Sequence, residues 1–133
     1  MKTSAYAAQK AKDTVIPYEI ERRPVGASDV RIEIEYCGVC HTDLHFVNND
    51  WGMSEFPLVP GHEIIGRVSE VGKEVSKFSI GDRAAIGVMV ESCGNCSFCL
   101  DGLEQYCAQG FTATYNSPCE DPGGFTYGGY SQR

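Results

Sequence analysis

The chain has 133 residues, of which 42% are hydrophobic and 22% charged, and its formal net charge is −7. This hydrophobic content excludes wholesale disorder, since a chain of this length can bury a core of its own. The acidic balance argues against nucleic-acid binding, and no apolar stretch has the form of a membrane span or a secretory signal, so we expect a cytoplasmic protein.

The first third of the chain predicts strands followed by a short helix. Residues 3–8 and 14–20 are weak strand candidates, whereas residues 30–36 alternate apolar and charged side chains, the pattern of a strand with one buried face. Residues 42–48 favour a short helix, which would place the two histidines near its start one turn apart on one face.

The middle of the chain predicts two further strands between glycine-containing turns. Residues 62–72 form the first, in which Gly66 would allow close approach of a neighbouring backbone. Residues 84–90 follow a turn at Gly81-Asp82 and predict a more fully buried strand. Several strands with little helix indicate a small β-barrel or sandwich.

The final third, residues 92–133, is rich in small, polar and cysteine residues and has almost no periodicity. Because such a segment has little apolar surface to bury, we expect a metal or a partner to hold its shape. Residues 128–133 resemble the opening of a strand with nothing after it.

Seven cysteines, an odd number without an export signal, favour metal binding over a disulfide framework. Four of them have the spacing C-x2-C-x2-C-x7-C, which can converge on one tetrahedral Zn²⁺. Four protein ligands leave no open position, so this zinc would be structural, with an iron–sulfur cluster as the alternative. The four are Cys93, Cys96, Cys99 and Cys107.

A second group of residues has the composition of a catalytic metal site. Cys40 and His62 come from different segments, each with an acid nearby, and this suits a zinc that keeps an open position. A metal-bound histidine usually donates its second nitrogen to a carboxylate, and Asp43 is the candidate acceptor. The alternative for His62 taken alone is a hydrogen-bonded core histidine.

The segment from Cys37 to Cys40 is also a C-x2-C motif, which is typical of thioredoxin-like redox sites. That fold offers no use for four further cysteines, so we interpret Cys37 as a buried residue that behaves like an apolar one. Cys119 matches no pattern, and no role is assigned to it.

Together these motifs resemble the amino-terminal, GroES-like catalytic domain of zinc-dependent medium-chain alcohol dehydrogenases. The segments at 49–63, 101–107 and 114–118 are similar to the cinnamyl alcohol dehydrogenase group and its bacterial members. The resemblance implies a mainly β fold over residues 1–133, a GroES-like β-barrel with a short helix and a zinc-binding lobe at about 92–110. It is carried by Gly38-Val39-Cys40-His41-Thr42-Asp43-Leu44-His45, Pro60-Gly61-His62-Glu63 with Gly66 and Gly72, Gly81-Asp82-Arg83, the four cysteines and Gly128-Gly129-Tyr130-Ser131.

The resemblance also implies an activity, the transfer of hydride between NADP(H) and a primary alcohol or aldehyde, aromatic or aliphatic, held at a catalytic zinc. Cys40 and His62 would bind that zinc, and Glu63 is the neighbouring acid that can enter its coordination shell. Family members commonly form homodimers, and the substrate is a small molecule.

The resemblance assigns four further residues. Thr42 would hydrogen-bond the substrate oxygen and pass its proton toward His45 through the cofactor ribose. His41 would lie near the cofactor pyrophosphate. Trp51 would help to wall the substrate pocket and favour aromatic or long aliphatic aldehydes.

The family pattern includes a third cysteine ligand and a nucleotide-binding Rossmann domain, and this sequence contains neither, nor any G-x-G-x-x-G. We therefore expect a fragment that does not turn over alcohols efficiently alone. The alternative is a free-standing zinc-binding module that has lost catalysis and acts by association, with residues 130–133 as an unpaired strand that recruits a partner.

Overall fold

The computed structural model describes residues 1–120 and 122–133. Within these ranges none of the helices has the length and apolar character needed to cross a membrane. The elements are β1 (Lys2–Ala7), β2 (Ile16–Glu21), β3 (Val30–Cys37), α1 (His41–Asn48), β4 (Ile64–Val71), β5 (Arg83–Ile86), β6 (Met89–Ser92), α2 (Ser97–Leu100), a 3-10 turn (Glu104–Tyr106) and β7 (Phe111–Ala113).

Among the described residues the strands form three antiparallel sheets, with the orders β1-β2, β3-β4-β5 and β6-β7. The predicted mainly β character and the short helix are confirmed. The first four strands lie within two residues of their predicted bounds. For β3 the prediction used the alternation of apolar and charged side chains, which follows from the two-residue repeat of a strand.

Strands β3 and β4 pair closely at Gly66, whose partner is Ile34. A Cβ atom at Gly66 would lie 2.2 Å from the backbone oxygen of Glu33, a distance that no real side chain tolerates. The predicted close backbone approach at this glycine is therefore present.

The prediction of one buried strand over residues 84–90 is wrong. The chain leaves β5 at Ile86 and begins β6 at Met89, in a different sheet, and Val88 and Val90 are 49% and 47% exposed. The amide of Thr114 donates to the Val88 carbonyl at 2.9 Å, so the intervening loop turns toward β7. An apolar run alone cannot reveal such a bend, because its periodicity is uninformative.

The predicted single buried face of β3 is also not observed, since most of its side chains are half-buried on both faces. A cavity of about 240 Å³ lies against this sheet, and Ile32, Ile34, Ile64 and Ile86 are among the residues that line it. Ile32 and Ile34 share one face of β3, as the alternation predicts, but this face borders the cavity rather than a closed core.

In the described part of the chain, two hydrophobic clusters form the core around the segments that carry Cys40 and His62. One contains Ala5, Ala7, Ile20 and Val59. The second contains Ala8, Val47, Leu58 and Tyr115. The second cluster joins the end of β1, helix α1 and the segment that leads into His62, and so it fixes these parts relative to one another.

The expectation of an unpaired strand at residues 130–133 is wrong for most of this segment. The Tyr6 amide donates to the Tyr130 carbonyl at 2.8 Å, and the Gln132 amide donates to the Ser4 carbonyl at 3.0 Å. On the other side, the Ile34 amide donates to the Gln132 carbonyl at 2.9 Å. The segment lies between β1 and β3, so the association alternative loses the free edge on which it depended.

Candidate metal centres

The four cysteines of the lobe converge, with all their Sγ atoms within 4.8 Å of one another. The Sγ atom of Cys99 lies 3.8 Å from that of Cys93 and 3.5 Å from that of Cys96. A tetrahedral Zn²⁺ with Zn–S distances of about 2.3 Å has ligand edges of about 3.8 Å. The spacing and the all-sulfur donor set therefore fit a closed, four-coordinate zinc.

Backbone amides support the ionised form of these thiols. The Ala108 amide donates to Cys96 Sγ at 3.5 Å and, with the amide of Cys99, lowers the pKa of Cys96 to about 6. The Cys93 amide does the same for Cys107 and lowers its pKa. Because thiolates are the metal-binding form of cysteine, these contacts favour cation binding at this cluster.

Burial opposes ionisation of Cys99, which with Cys107 is one of the two buried cysteines of this cluster. The Ser92 hydroxyl lowers its pKa, but burial and the neighbouring thiol of Cys96 outweigh this contact and raise the pKa to about 11. Close thiols cannot all become anionic without compensation, since like charges repel at these distances. A divalent cation at the centre would provide that compensation.

The second cluster brings together Cys40, His62 and Glu63, whose ligand atoms lie within 4.8 Å of one another. Cys40 is the N-cap residue of α1, and His62 follows Gly61, whose φ of +101° turns the chain into β4. His62 is buried and Glu63 is exposed. One sulfur, one nitrogen and one carboxylate oxygen form a donor set that fits a catalytic zinc with an open position.

Asp43, which is only 2% exposed, ties the two segments of this cluster together. Its carboxylate accepts hydrogen bonds from the Cys40 amide at 2.9 Å, the Gly61 amide at 3.0 Å and the Tyr130 hydroxyl at 3.4 Å. His62 Nδ1 lies 3.5 Å from Asp43 Oδ1, just beyond a well-formed hydrogen bond. The Asp43 carboxylate therefore faces the Nδ1 edge of the ring, and Nε2 lies on the opposite edge. The hydrogen bond predicted between His62 and Asp43 stays a prediction.

Helix α1 positions the predicted acid–base residues beside this cluster. Thr42 lies in its first turn and is half-buried, and His45 follows one turn later. The rings of His41 and His45 have centroids 6.2 Å apart, and His41 is exposed. The predicted placement of both histidines on one face of a short helix is therefore confirmed.

The sequence reasoning missed Asp50, whose Oδ2 lies 2.8 Å from His45 Nδ1. Helix α1 ends at Asn49, which has a left-handed backbone with φ of +58° and folds the next residue back toward the helix. An asparagine after a predicted helix is a known C-terminal cap, so the Asn49-Asp50 pair contained a usable signal.

Trp51 and a buried tyrosine complete an aromatic series around the site. The Trp51 ring centroid lies 5.0 Å from that of His45 and 5.1 Å from that of Phe46. Phe46 contacts Tyr115 edge-on, and Tyr115 stacks on His62. Burial and the neighbouring Asp43 carboxylate raise the pKa of the Tyr115 hydroxyl. Sequence reasoning gave no role to Tyr115, because nothing local connects it to the histidine.

Comparison with known proteins identifies the family of the domain that contains these two clusters. Residues 26–133 match the alcohol dehydrogenase GroES-like domain. The chain belongs to this family. The resemblance to zinc-dependent alcohol dehydrogenases and the predicted GroES-like fold are thereby confirmed.

Two curated relatives illustrate the similarity. The chain is 52% identical to the aldehyde reductase YahK of Escherichia coli (strain K12) over 133 residues, which is 100% of this chain and 38% of the relative. It is 48% identical to cinnamyl alcohol dehydrogenase 8 of Arabidopsis thaliana over 125 residues, covering 94% of this chain and 34% of the relative. The chain thus spans little more than a third of the length of these relatives.

Two solved structures share the fold closely. A cinnamyl alcohol dehydrogenase from Sorghum bicolor superposes with a TM-score of 0.93 at 40% identity, covering 99% of this chain and 37% of that one. A cinnamyl alcohol dehydrogenase from Helicobacter pylori, complexed with NADP(H), gives a TM-score of 0.89 at 36% identity, covering 99% and 38%.

Proposed function

We propose that this chain supplies the catalytic metal site and the acid–base residues of an NADP-dependent alcohol dehydrogenase that works as an aldehyde reductase. The observation that carries the proposal is the convergence of Cys40, His62 and Glu63 directly beside the helix that presents Thr42 and His45. Among the relatives named above, aldehyde reductases and cinnamyl alcohol dehydrogenases have the same domain.

In this proposal Cys40 and His62 bind a zinc ion, with Glu63 as the acid able to join them. A bound Zn²⁺ supplies Lewis-acid polarisation of the substrate oxygen, which favours hydride transfer in either direction. Asp43 restrains the position of Nδ1 of His62, while the amides of Cys40 and Gly61 hold the carboxylate itself in place.

Thr42 and His45 move the proton in the proposed reaction. The Thr42 hydroxyl would accept the proton of the substrate alcohol as it releases its own proton toward His45, and the family resemblance implies that a bound NADP would supply the connecting ribose hydroxyl. Asp50 accepts the Nδ1 hydrogen of His45, which selects the tautomer whose Nε2 is free to receive that proton. His45 is partly exposed, so the proton can leave to solvent.

The four cysteines of the lobe hold a second, structural zinc in this proposal. Its role is to supply folding energy to residues 92–110, which otherwise have a short helix, a 3-10 turn and few buried side chains. No open coordination position remains for chemistry.

The substrate and cofactor assignments rest on the resemblance together with two structural features. Trp51 is 51% exposed beside His45, so its ring is free to wall a pocket for an aromatic or aliphatic aldehyde. His41 is exposed at the start of α1, where the positive end of the helix dipole favours an anionic pyrophosphate. NADP is the cofactor named for the Helicobacter pylori structure. A cytoplasmic location and a homodimer stay predictions.

The test is reduction of cinnamaldehyde with NADPH, in a protein that joins this domain to a nucleotide-binding domain. We expect Cys40→Ser to lose the activity together with one zinc, because the substitution removes a ligand. The matched control is Cys119→Ser, which changes a half-buried cysteine outside both clusters and should keep both activity and zinc. Full activity in Cys40→Ser would contradict the proposal.

A further inference from the structure

We propose that Tyr115 is a positioning residue whose ring fixes the plane of the His62 imidazole for metal binding. The inference rests on the proposed metal site at Cys40, His62 and Glu63. It concerns the geometry of one ligand and leaves the chemistry of the substrate unchanged.

The first observation is a face-to-face contact between two buried rings. The centroids of His62 and Tyr115 lie 5.7 Å apart with an interplanar angle of 24°, within the range of offset-stacked aromatic pairs. The two residues are 8% and 4% exposed. Because both rings are almost completely buried and stacked on one another, we expect the tyrosine ring to restrain rotation of the imidazole about its Cβ–Cγ bond.

The second observation is that Tyr115 is itself held in place. Phe46 of helix α1 contacts its ring edge-on, with centroids 5.2 Å apart and planes at 78°. On either side in the chain, the Thr114 amide donates to the Val88 carbonyl at 2.9 Å and the Asn116 amide donates to the Thr126 carbonyl at 3.0 Å. A ring fixed in this way can define the orientation of a neighbouring ring.

The third observation is that the other contact of His62 does not define this plane. Its Nδ1 atom lies 3.5 Å from Asp43 Oδ1 and has no hydrogen-bond partner among the described residues. An edge contact at this distance restrains the position of Nδ1 and still permits the ring to tilt. The Tyr115 hydroxyl makes no hydrogen bond of acceptable geometry in the described part of the chain, although the Asp43 carboxylate is near enough to raise its pKa. The contact with the imidazole is made by the tyrosine ring.

The experiment compares Tyr115→Leu, which removes the ring, with Tyr115→Phe, which keeps it. Zinc affinity is measured by competition with a chromophoric chelator, and site geometry by the ligand-field absorption of the Co²⁺-substituted protein. We expect Tyr115→Leu to weaken the second metal site by about 10- to 100-fold, as is usual when a residue that orients a ligand is lost, and to broaden its Co²⁺ bands. Tyr115→Phe should behave as the wild type does.

Two further variants separate positioning from folding. Ile20→Ala shortens a side chain in the first core cluster, which does not contain Tyr115, and we expect it to lower the unfolding temperature without weakening the metal site. If Tyr115→Leu does not fold, Phe46→Leu decides instead, since it removes the ring that restrains Tyr115 and should broaden the Co²⁺ bands. The four-cysteine site is the internal control in every variant.

Two results would overturn the inference while leaving the proposed function intact. One is wild-type metal affinity and spectrum in Tyr115→Leu, or in Phe46→Leu where that variant decides. The other is an equal loss in Tyr115→Phe and Tyr115→Leu, which would make the hydroxyl rather than the ring the acting group. Failure of the unsubstituted protein to bind a second metal ion would instead contradict the proposed function, and this inference with it.

Discussion

Asp43 shows how a single side chain can serve both folding and a metal site. Its carboxylate caps helix α1 through the Cys40 amide and also holds the Gly61 amide, so it fixes the backbone next to two proposed ligands. A carboxylate buried to this extent is destabilising unless it is hydrogen-bonded, and here both oxygens accept hydrogen bonds. The same contacts that offset the cost of its burial leave Oδ1 facing the imidazole of His62.

At the scale of single residues, Thr42 gives a direct test of the proton path. In a protein that joins this domain to a nucleotide-binding domain, we expect Thr42→Ala to lower turnover about 100-fold or more, in line with usual acid–base contributions. Zinc content should not change, because Thr42 is not among the clustered ligand atoms. Thr42→Ser is the matched control, since it keeps the hydroxyl. Wild-type turnover in the alanine variant would remove Thr42 from the path.

At the scale of elements, helix α1 and the four-cysteine lobe differ in how they are stabilised. Helix α1 buries Asp43 and Val47 and packs into a core cluster. The lobe contains a four-residue helix and a three-residue 3-10 turn, and Phe98, Leu100 and Tyr106 are exposed on its surface. An element with so little apolar burial is expected to depend on a bound metal for folding.

We therefore expect Cys93→Ser to unfold the lobe. The expected result is loss of one zinc and a lower, broader thermal transition, because three thiolates cannot complete the closed site. The measurements are elemental analysis and calorimetry. Cys119→Ser is again the control, and a Cys93→Ser protein with an unchanged thermal transition would show that the lobe folds without its metal.

The β3-β4 pairing makes a prediction about packing. Gly66→Ala places a Cβ atom against the backbone of Glu33, so we expect a loss of about 1–3 kcal/mol in the free energy of unfolding, typical of overpacking. Gly87→Ala is the control, because a Cβ atom at this position would meet nothing within 4 Å and the backbone there is not left-handed. Chemical denaturation measures the free energy of unfolding of both variants. Equal stability of the two would contradict the close approach of the β3 and β4 backbones at Gly66.

At the scale of the whole molecule, the sequence predicted what depends on local spacing. The four-cysteine cluster was predictable because its ligands lie only a few residues apart in the chain. Helix α1 was predictable because a helical turn also depends on residues close in sequence. Asp50 and Tyr115 were not recognised, since a turn brings the first back to His45 and long-range packing brings the second onto His62. The break between β5 and β6 was missed because loop contacts with Thr114, not composition, produce it.

We expect this chain to hold two metal ions, one in each cluster. Native mass spectrometry with elemental analysis counts the ions in the zinc-loaded chain. We predict two zinc ions, of which Cys93→Ser loses one and Cys40→Ser loses the other. A chain that binds fewer than two zinc ions, or one whose zinc content is the same in both variants as in the wild type, would contradict this account.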